Sequence, residues 1–221
     1  MSAVNAPDLS RVLVAGLGVT GRAVVEALQA RNSEVLAVDD QPTSVAAVAE
    51  ELRVELLDSS SATELERAFS GITSVVPSPG IPCHHLLYRL ADASGVEILS
   101  ELDLAALWND RPCAAVTGTN GKTTVTELTT QMLLASGIQA AAVGNTDTPF
   151  VSAIDDKEIG YEVFVVEASS FRLDRVRRFR AKAAAWLNLA PDHLDWHENF
   201  QAYARAKSKI WETQQEGDIA V

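Results

Sequence analysis

The chain has 221 residues, 47% of them hydrophobic and 22% charged, which is enough apolar material for a buried core and a length that suggests one or two domains. Its formal net charge of −12 excludes a general nucleic-acid or anionic-membrane binder, since both need basic surface, but leaves room for a local basic pocket. Cys83 and Cys113 stand alone without C-x-x-C spacing, residues 1–11 show no leader pattern, and no apolar run approaches the ~20 residues of a membrane span. These features lead to the expectation of a soluble cytoplasmic protein.

Residues 11–15 read as a buried strand running into G-L-G-V-T-G at 16–21, followed by a helix over 22–31 and a second strand over 34–38 that ends at Asp39. A G-x-G-x-x-G turn between strand and helix, with an acid about twenty residues on, is the pattern of a nucleotide-binding unit. The alternative is a tight turn that only permits close helix–strand packing. Helices at 44–52 and 62–69 then alternate with extended segments at 53–57 and 73–76. The proline-locked loop 77–82 is either a ligand-contacting loop at a strand's C-terminal end or a plain connection.

His84 and His85 read as polar residues at the start of a helix over 84–93, and 96–99 as a last strand. Ser100 is expected to N-cap a helix with Asp103 in the capping-box position. The stretch 109–112 is the expected domain boundary.

Residues 113–116 form an apolar strand, and 117–124 read T-G-T-N-G-K-T-T before a helix over 125–135 with Val125, Leu128, Met132 and Ala135 at helical spacing. Strand, glycine-bearing loop and helix make a phosphate cradle: glycines let backbone amides approach the anion, and the helix start adds free donors. Lys122 would meet the β/γ-phosphates and the Thr123 hydroxyl a Mg²⁺ ion. The strict motif needs glycine where this chain has Val116, and a glycine-rich turn capping a helix is the competing reading.

A strand over 139–143 ends at G-N-T-D-T-P, and the strand over 161–166 delivers Glu167 where P-loop proteins place a magnesium-holding acid. The arginines at 172, 175, 177, 178 and 180 read as a solvated face. After a strand over 183–187, residues 192–197 pack Asp192, His193, Asp195 and His197 together, suiting metal ligation or a wall for a base, although either histidine alone is better explained structurally. Asn199 is expected to cap a helix over 200–213, with Lys207 an ordinary surface lysine, and 217–221 to begin another strand.

These motifs resemble the Mur ligase family: G-L-G-V-T-G at 16–21, S-P-G-I-P at 78–82, S-E-L-D at 100–103, G-T-N-G-K-T-T at 118–124, E-A-S-S-F at 167–171, N-L-A-P-D-H-L-D at 188–195 and Y-A-R-A-K at 203–207. The first turn and E-A-S-S-F point to its D-glutamate-adding member. The resemblance implies an α/β protein with a Rossmann-like UDP-substrate domain over 1–109 and an incomplete P-loop ATPase domain over 110–221. A C-terminal domain for the incoming amino acid is then absent and the chain alone inactive.

The reaction so implied is ATP-dependent amide formation between UDP-N-acetylmuramoyl-L-alanine and D-glutamate through an acyl phosphate, by a cytoplasmic monomer without nucleic-acid or membrane partners. It assigns ATP to Gly118, Thr119, Asn120, Gly121, Lys122, Thr123 and Thr124. It assigns the UDP-substrate to Gly18, Val19, Thr20, Asp39, Ser78, Asn145 and Ser169. Two Mg²⁺ ions fall to Thr123, Glu167, His193 and Lys207, with Lys207 carbamylated and Lys122, His193 and Lys207 catalytic. Three departures stand out: Arg172 where relatives often have Gln, Asp40-Gln41 where they have Thr-Arg, and Asn145-Thr146-Asp147 after Gly144 in place of Asn-Ile-Gly. A NAD-dependent dehydrogenase would fit residues 16–39 but leaves Lys122, Glu167 and 188–195 unexplained. Another member of the family, or a non-catalytic nucleotide-binding module, are the remaining alternatives.

Overall fold

The computed structural model describes residues 6–156 and 158–221; the first five residues of the stretch read as lacking a leader lie outside them. The chain divides into two compact units, the first ending at Glu101 and the second starting at Leu102. Each is built on a five-stranded, wholly parallel sheet with helices between successive strands, the α/β class expected.

The first sheet has the order β3-β2-β1-β4-β5, from Glu55–Asp58, Glu34–Asp39, Arg11–Ala15, Ser74–Pro77 and Glu97–Ile98. Parallel strands buried on both faces read as continuous apolar runs, and Val12, Leu13 and Val14 of β1 are fully buried. Leu13, Val38, Leu65, Val75, Leu87 and Ala91 share one core, each fully buried aliphatic side chain contributing roughly 1.5–3 kcal/mol. After β1 the chain moves outward through β2 and β3, then returns to the other side of β1 with β4. That reversal opens a crevice beyond the C-terminal ends of β1 and β4, where such sheets bind ligands. The turn 16–21 and the loop 77–82 both leave from it. Helix α1 (Val19–Gln29) follows the turn, starting three residues before its expected position. His85 is the N-cap of α4 (Leu86–Ser94), its ring accepting from the Leu87 amide, as a helix-start residue should.

The second sheet has the order β10-β9-β6-β8-β7, from Ile219–Ala220, Ala183–Trp186, Cys113–Thr117, Val163–Glu167 and Ala140–Gly144. Here β6 is central, and its neighbours β8 and β9 both come later in the chain, so a second reversal sits where β6 ends. Two short helices, α7 (Phe150–Ile154) and α8 (Ser170–Leu173), escaped the sequence pattern because five and four residues are too few to show a period.

Two expectations need correction. Helix α6 (Lys122–Ala135) does not bury the Val125–Leu128–Met132 stripe: Thr126 and Thr130 are buried, while Leu128 and Met132 are 58% and 62% exposed. The loop fixes the helix's phase. Lys122 must turn back over the strand end, and Thr126 and Thr130 follow it at i+4 and i+8 on the same face. The Thr130 hydroxyl is satisfied by the Thr126 carbonyl at 2.9 Å.

The arginine run is a solvated face only in part: Arg177 is exposed, while Arg175, Arg178 and Arg180 are half-buried. Arg172 is buried, and Arg180 forks onto the buried Asp218 carboxylate at 2.7 and 2.9 Å, which holds that carboxyl well below the usual range. Asp103 is fully buried and serves more than its own helix. Its Oδ1 accepts from the amides of Arg177, Arg178 and Phe179 at 3.0, 2.7 and 3.0 Å, so three consecutive donors of an irregular segment are satisfied by one anion.

Candidate functional site

In the first unit the glycine turn is shaped by sterics. A Cβ on Gly21 would stand 1.8 Å from the Gly16 carbonyl oxygen, so only glycine lets α1 start this close to β1. The Ser78 hydroxyl donates to the same Gly16 oxygen at 2.8 Å, and the Ser78 amide donates to the Ala15 carbonyl at 2.7 Å, packing loop 77–82 onto the turn. Asp39 accepts from the Leu17 amide at 2.9 Å through one carboxylate oxygen and from the Gln41 amide through the other. Gly18 and Val19 are exposed and Thr20 half-buried at the rim. Turn, Ser78 and Asp39 are thus brought together around one crevice.

Asp40, one of the departures, is anchored beside it. Its Oδ1 takes the Ser59 hydroxyl at 2.6 Å and His85 Nε2 at 3.1 Å. Since His85 Nδ1 accepts from Leu87, the ring proton sits on Nε2 and points at Asp40.

In the second unit the loop between β6 and α6 carries the site. Gly118 is buried, and its carbonyl oxygen receives two ammonium groups: Lys122 Nζ at 3.0 Å and Lys207 Nζ at 2.7 Å. Lys122 also donates to the Thr119 carbonyl at 3.0 Å, folded back over its own loop. Lys207 is 1% exposed, on α9 (Phe200–Ser208), whose stripe Tyr203, Ala206, Lys207 faces inward; the reading of an ordinary surface lysine does not hold. Burial, and then the neighbouring Lys122 charge, pull its pKa down from 10.5 to about 8, against an opposing pull from Asp192.

Glu167 ends β8, and the register pairs it with Val116 of β6, so the acid stands beside the start of the loop. It is 2% exposed. Oε1 accepts from Asn145 Nδ2 at 3.0 Å, and Oε2 is buried with no hydrogen-bond partner among the described residues. A buried, unpartnered carboxylate oxygen is costly unless a cation completes it, so Glu167 fits a Mg²⁺ ligand. Gly144 permits this pairing: its φ is +98° and a Cβ there would lie 2.5 Å from the Glu167 carbonyl oxygen.

His193 adopts a left-handed φ of +51°, unusual for a residue with a side chain. Its ring centroid lies 4.7 Å from that of Phe171 and 6.2 Å from that of Tyr203. His197 is 3% exposed, 2.9 Å from the Ser170 hydroxyl and stacked on Phe171, a structural role; burial, with His193 and Lys207 adding to it, pushes its pKa down. Ser169 caps α8 by accepting from the Arg172 amide. Among the described residues no three His, Cys, Asp or Glu side chains converge on one metal position, so any second cation would need oxygens from a modified Lys207 or from a ligand.

Sequence reading missed Asn188 and the hydroxyl pair Thr119–Tyr203. Asn188 Oδ1 accepts from the Thr119 and Asn120 amides, both at 3.0 Å, and its Nδ2 donates to the Asn120 carbonyl at 3.1 Å. The Thr119 hydroxyl accepts from the Ala190 amide at 2.9 Å and sits 3.1 Å from the Tyr203 hydroxyl. The partners are 68 to 84 residues apart, which no local spacing reveals.

A model of the Mur ligase MurD-like N-terminal domain matches residues 10–100, and one of the Mur ligase middle domain matches residues 116–221. UDP-N-acetylmuramoylalanine–D-glutamate ligase of Desulfosudis oleivorans is 39% identical over 215 residues, covering 96% of this chain and 46% of the relative. The ligase of the same name from Frankia casuarinae is 43% identical over 205 residues, covering 90% and 42%. The chain therefore spans about half the length of the curated relatives it matches.

Among solved structures, a UDP-N-acetylmuramate:L-alanyl-gamma-D-glutamyl-meso-diaminopimelate ligase from Neisseria meningitides superposes with a TM-score of 0.59 at 16% identity, covering 96% of this chain and 71% of that one. UDP-N-acetylmuramate-alanine ligase of Thermotoga maritima gives 0.54 at 20% identity, covering 95% and 48%. These likenesses bear on the fold alone. Two consecutive domain models of one family, and relatives aligned along nearly the whole chain, show that this chain belongs to the Mur ligase family.

Proposed function

We propose that the chain is the sugar-nucleotide-binding and ATP-binding part of an ATP-dependent acid–amino-acid ligase of peptidoglycan precursor synthesis. The reaction is the addition of D-glutamate to UDP-N-acetylmuramoyl-L-alanine, the activity named for the relatives above. The sugar nucleotide is assigned to the N-terminal domain, at Gly18, Val19, Thr20, Asp39 and Ser78; the roles of Asn145 and Ser169 toward it rest on the family resemblance alone. ATP is assigned to residues 118–124. The observation that carries the reading is the orphaned Glu167 Oε2 beside a loop holding two lysines.

A carboxylate is a poor acyl donor, and phosphorylation by ATP turns its oxygen into a good leaving group. The amine of D-glutamate then attacks the acyl phosphate and expels phosphate. The protein's task is to align two anions and offset their repulsion. Lys122 swings from the Gly118 and Thr119 carbonyls to the terminal phosphates, exchanging neutral acceptors for charged ones. Thr123 and Glu167 would hold Mg²⁺, which screens phosphate charge when bound. His193 and a carbamylated Lys207 are proposed to hold a second Mg²⁺. Carbamylation needs a neutral amine, and a pKa of about 8 supplies far more of it near neutrality than an exposed lysine does. The enzyme is taken to act as a monomer in the cytoplasm; no helix among the described residues is long and apolar enough to cross a membrane.

Calorimetric titration of the chain with UDP-N-acetylmuramoyl-L-alanine and with NADH tests the assignment. Saturable heat with the UDP compound and none with NADH is expected. Tight NADH binding without UDP-compound binding would overturn it.

A further inference from the structure

We infer that Asn188 is a positioning residue that locks the first two amides of the phosphate loop, confining phosphate contact to the amides of residues 121–124. The inference rests on the ATP assignment above. Its geometry is a chelate: one planar side-chain amide makes three hydrogen bonds to Thr119 and Asn120, all between 3.0 and 3.1 Å. Only the orientation with Oδ1 toward the two N–H groups and Nδ2 toward the carbonyl satisfies all three. Both amides are thereby already paired with a protein acceptor. Helix α6 starts at Lys122 without a side-chain cap, so the amides of its first turn lie outside the helical ladder and remain for an anion.

The lock also couples two parts of the site. Asn188 leaves the end of β9, whose extension pairs with β6 through the Leu187 amide and Thr117 carbonyl at 2.9 Å. Two residues on, Ala190 holds the Thr119 hydroxyl, which reaches Tyr203 on the helix that carries Lys207. A loop pinned at residues 119 and 120 keeps Gly118 in place, and with it the carbonyl on which Lys122 and Lys207 meet. Preorganisation of this kind lowers the ordering cost when a phosphate arrives.

Amide hydrogen exchange of the 221-residue chain, followed residue by residue with and without Mg-ATP, is the test. In the nucleotide-free chain Asn188→Ala should speed exchange at Asn120 by about tenfold, the loss of a partly exposed hydrogen bond, and weaken Mg-ATP by a similar factor. Thr119 should change less, since its amide also donates to the Asn188 backbone carbonyl at 3.2 Å. Asn188→Asp keeps an acceptor for both amides and should restore their protection. In the wild type, Mg-ATP should slow exchange at residues 121–124 and leave 119 and 120 unchanged. Unaltered exchange at Asn120 in Asn188→Ala, no rescue by Asp, or nucleotide protection centred on 119 and 120 would each overturn the inference. A wild type that binds no nucleotide would defeat the ATP assignment instead, and the nucleotide-free comparison would still decide whether Asn188 locks the loop.

Discussion

Lys207 Nζ donates to the Gly118 carbonyl oxygen at 2.7 Å across 89 residues of sequence, joining the last long helix to the phosphate loop. The bond places a buried ammonium beside Lys122, and burial first, then that like charge, pull its pKa down.

The pH dependence follows with a definite sign. Below pH 8 Lys207 is protonated in both folded and unfolded chains, and folding carries the full penalty of burying its charge. Between 8 and 10.5 the unfolded chain binds more protons, so stability rises with pH, by roughly 3 kcal/mol in total. In carbon-dioxide-free buffer, Lys207→Met should therefore exceed the wild type in unfolding free energy at pH 7 by more than at pH 9.5. A difference that stays constant across that range contradicts the account.

Gly21→Ala is expected to disrupt the first unit, because its methyl group would lie within bonding distance of the Gly16 carbonyl. The start of α1 must move, at a cost of about 2–4 kcal/mol by analogy with other overpacking and strained-backbone changes. Urea unfolding would show it; a loss below 0.5 kcal/mol would mean that the turn is looser than described.

Asp103→Ala leaves the amides of Arg177, Arg178 and Phe179 without their shared acceptor in a buried setting. A loss of about 3 kcal/mol or more is expected. Asp103→Asn retains an acceptor oxygen and should lose less. Equal losses for the two would show that the carboxylate's acceptor role is not what matters.

The fold was legible because parallel strands buried on both faces announce themselves as apolar runs, and the glycine turns at 16–21 and 118–121 mark where strands give way to helices. The acid at the end of β8 was legible for the same reason: Tyr161 to Val166 is nearly all apolar, so the first charge after it marks the strand's exit. What the sequence hid was tertiary. The helix after the loop looked as if it buried Leu128 and Met132, yet its phase is set by the loop and threonines face the sheet. Asp103 stands at a capping-box spacing, and nothing local shows that its Oδ1 also serves amides some 75 residues away. Lys207 resembled a surface lysine, although its position between Ala206 and Ile210 on the buried stripe was the available signal.

The central claim, an ATP site completed by a cation at Glu167, is tested most directly by calorimetric titration of the chain with ATP, with and without Mg²⁺. The wild type is expected to bind ATP at least tenfold more tightly with Mg²⁺. Glu167→Gln should abolish that magnesium dependence, and Lys122→Ala should weaken binding about tenfold or more, the scale of one charge-assisted contact. ATP affinity indifferent to Mg²⁺ in the wild type, or unchanged in both variants, would contradict the account.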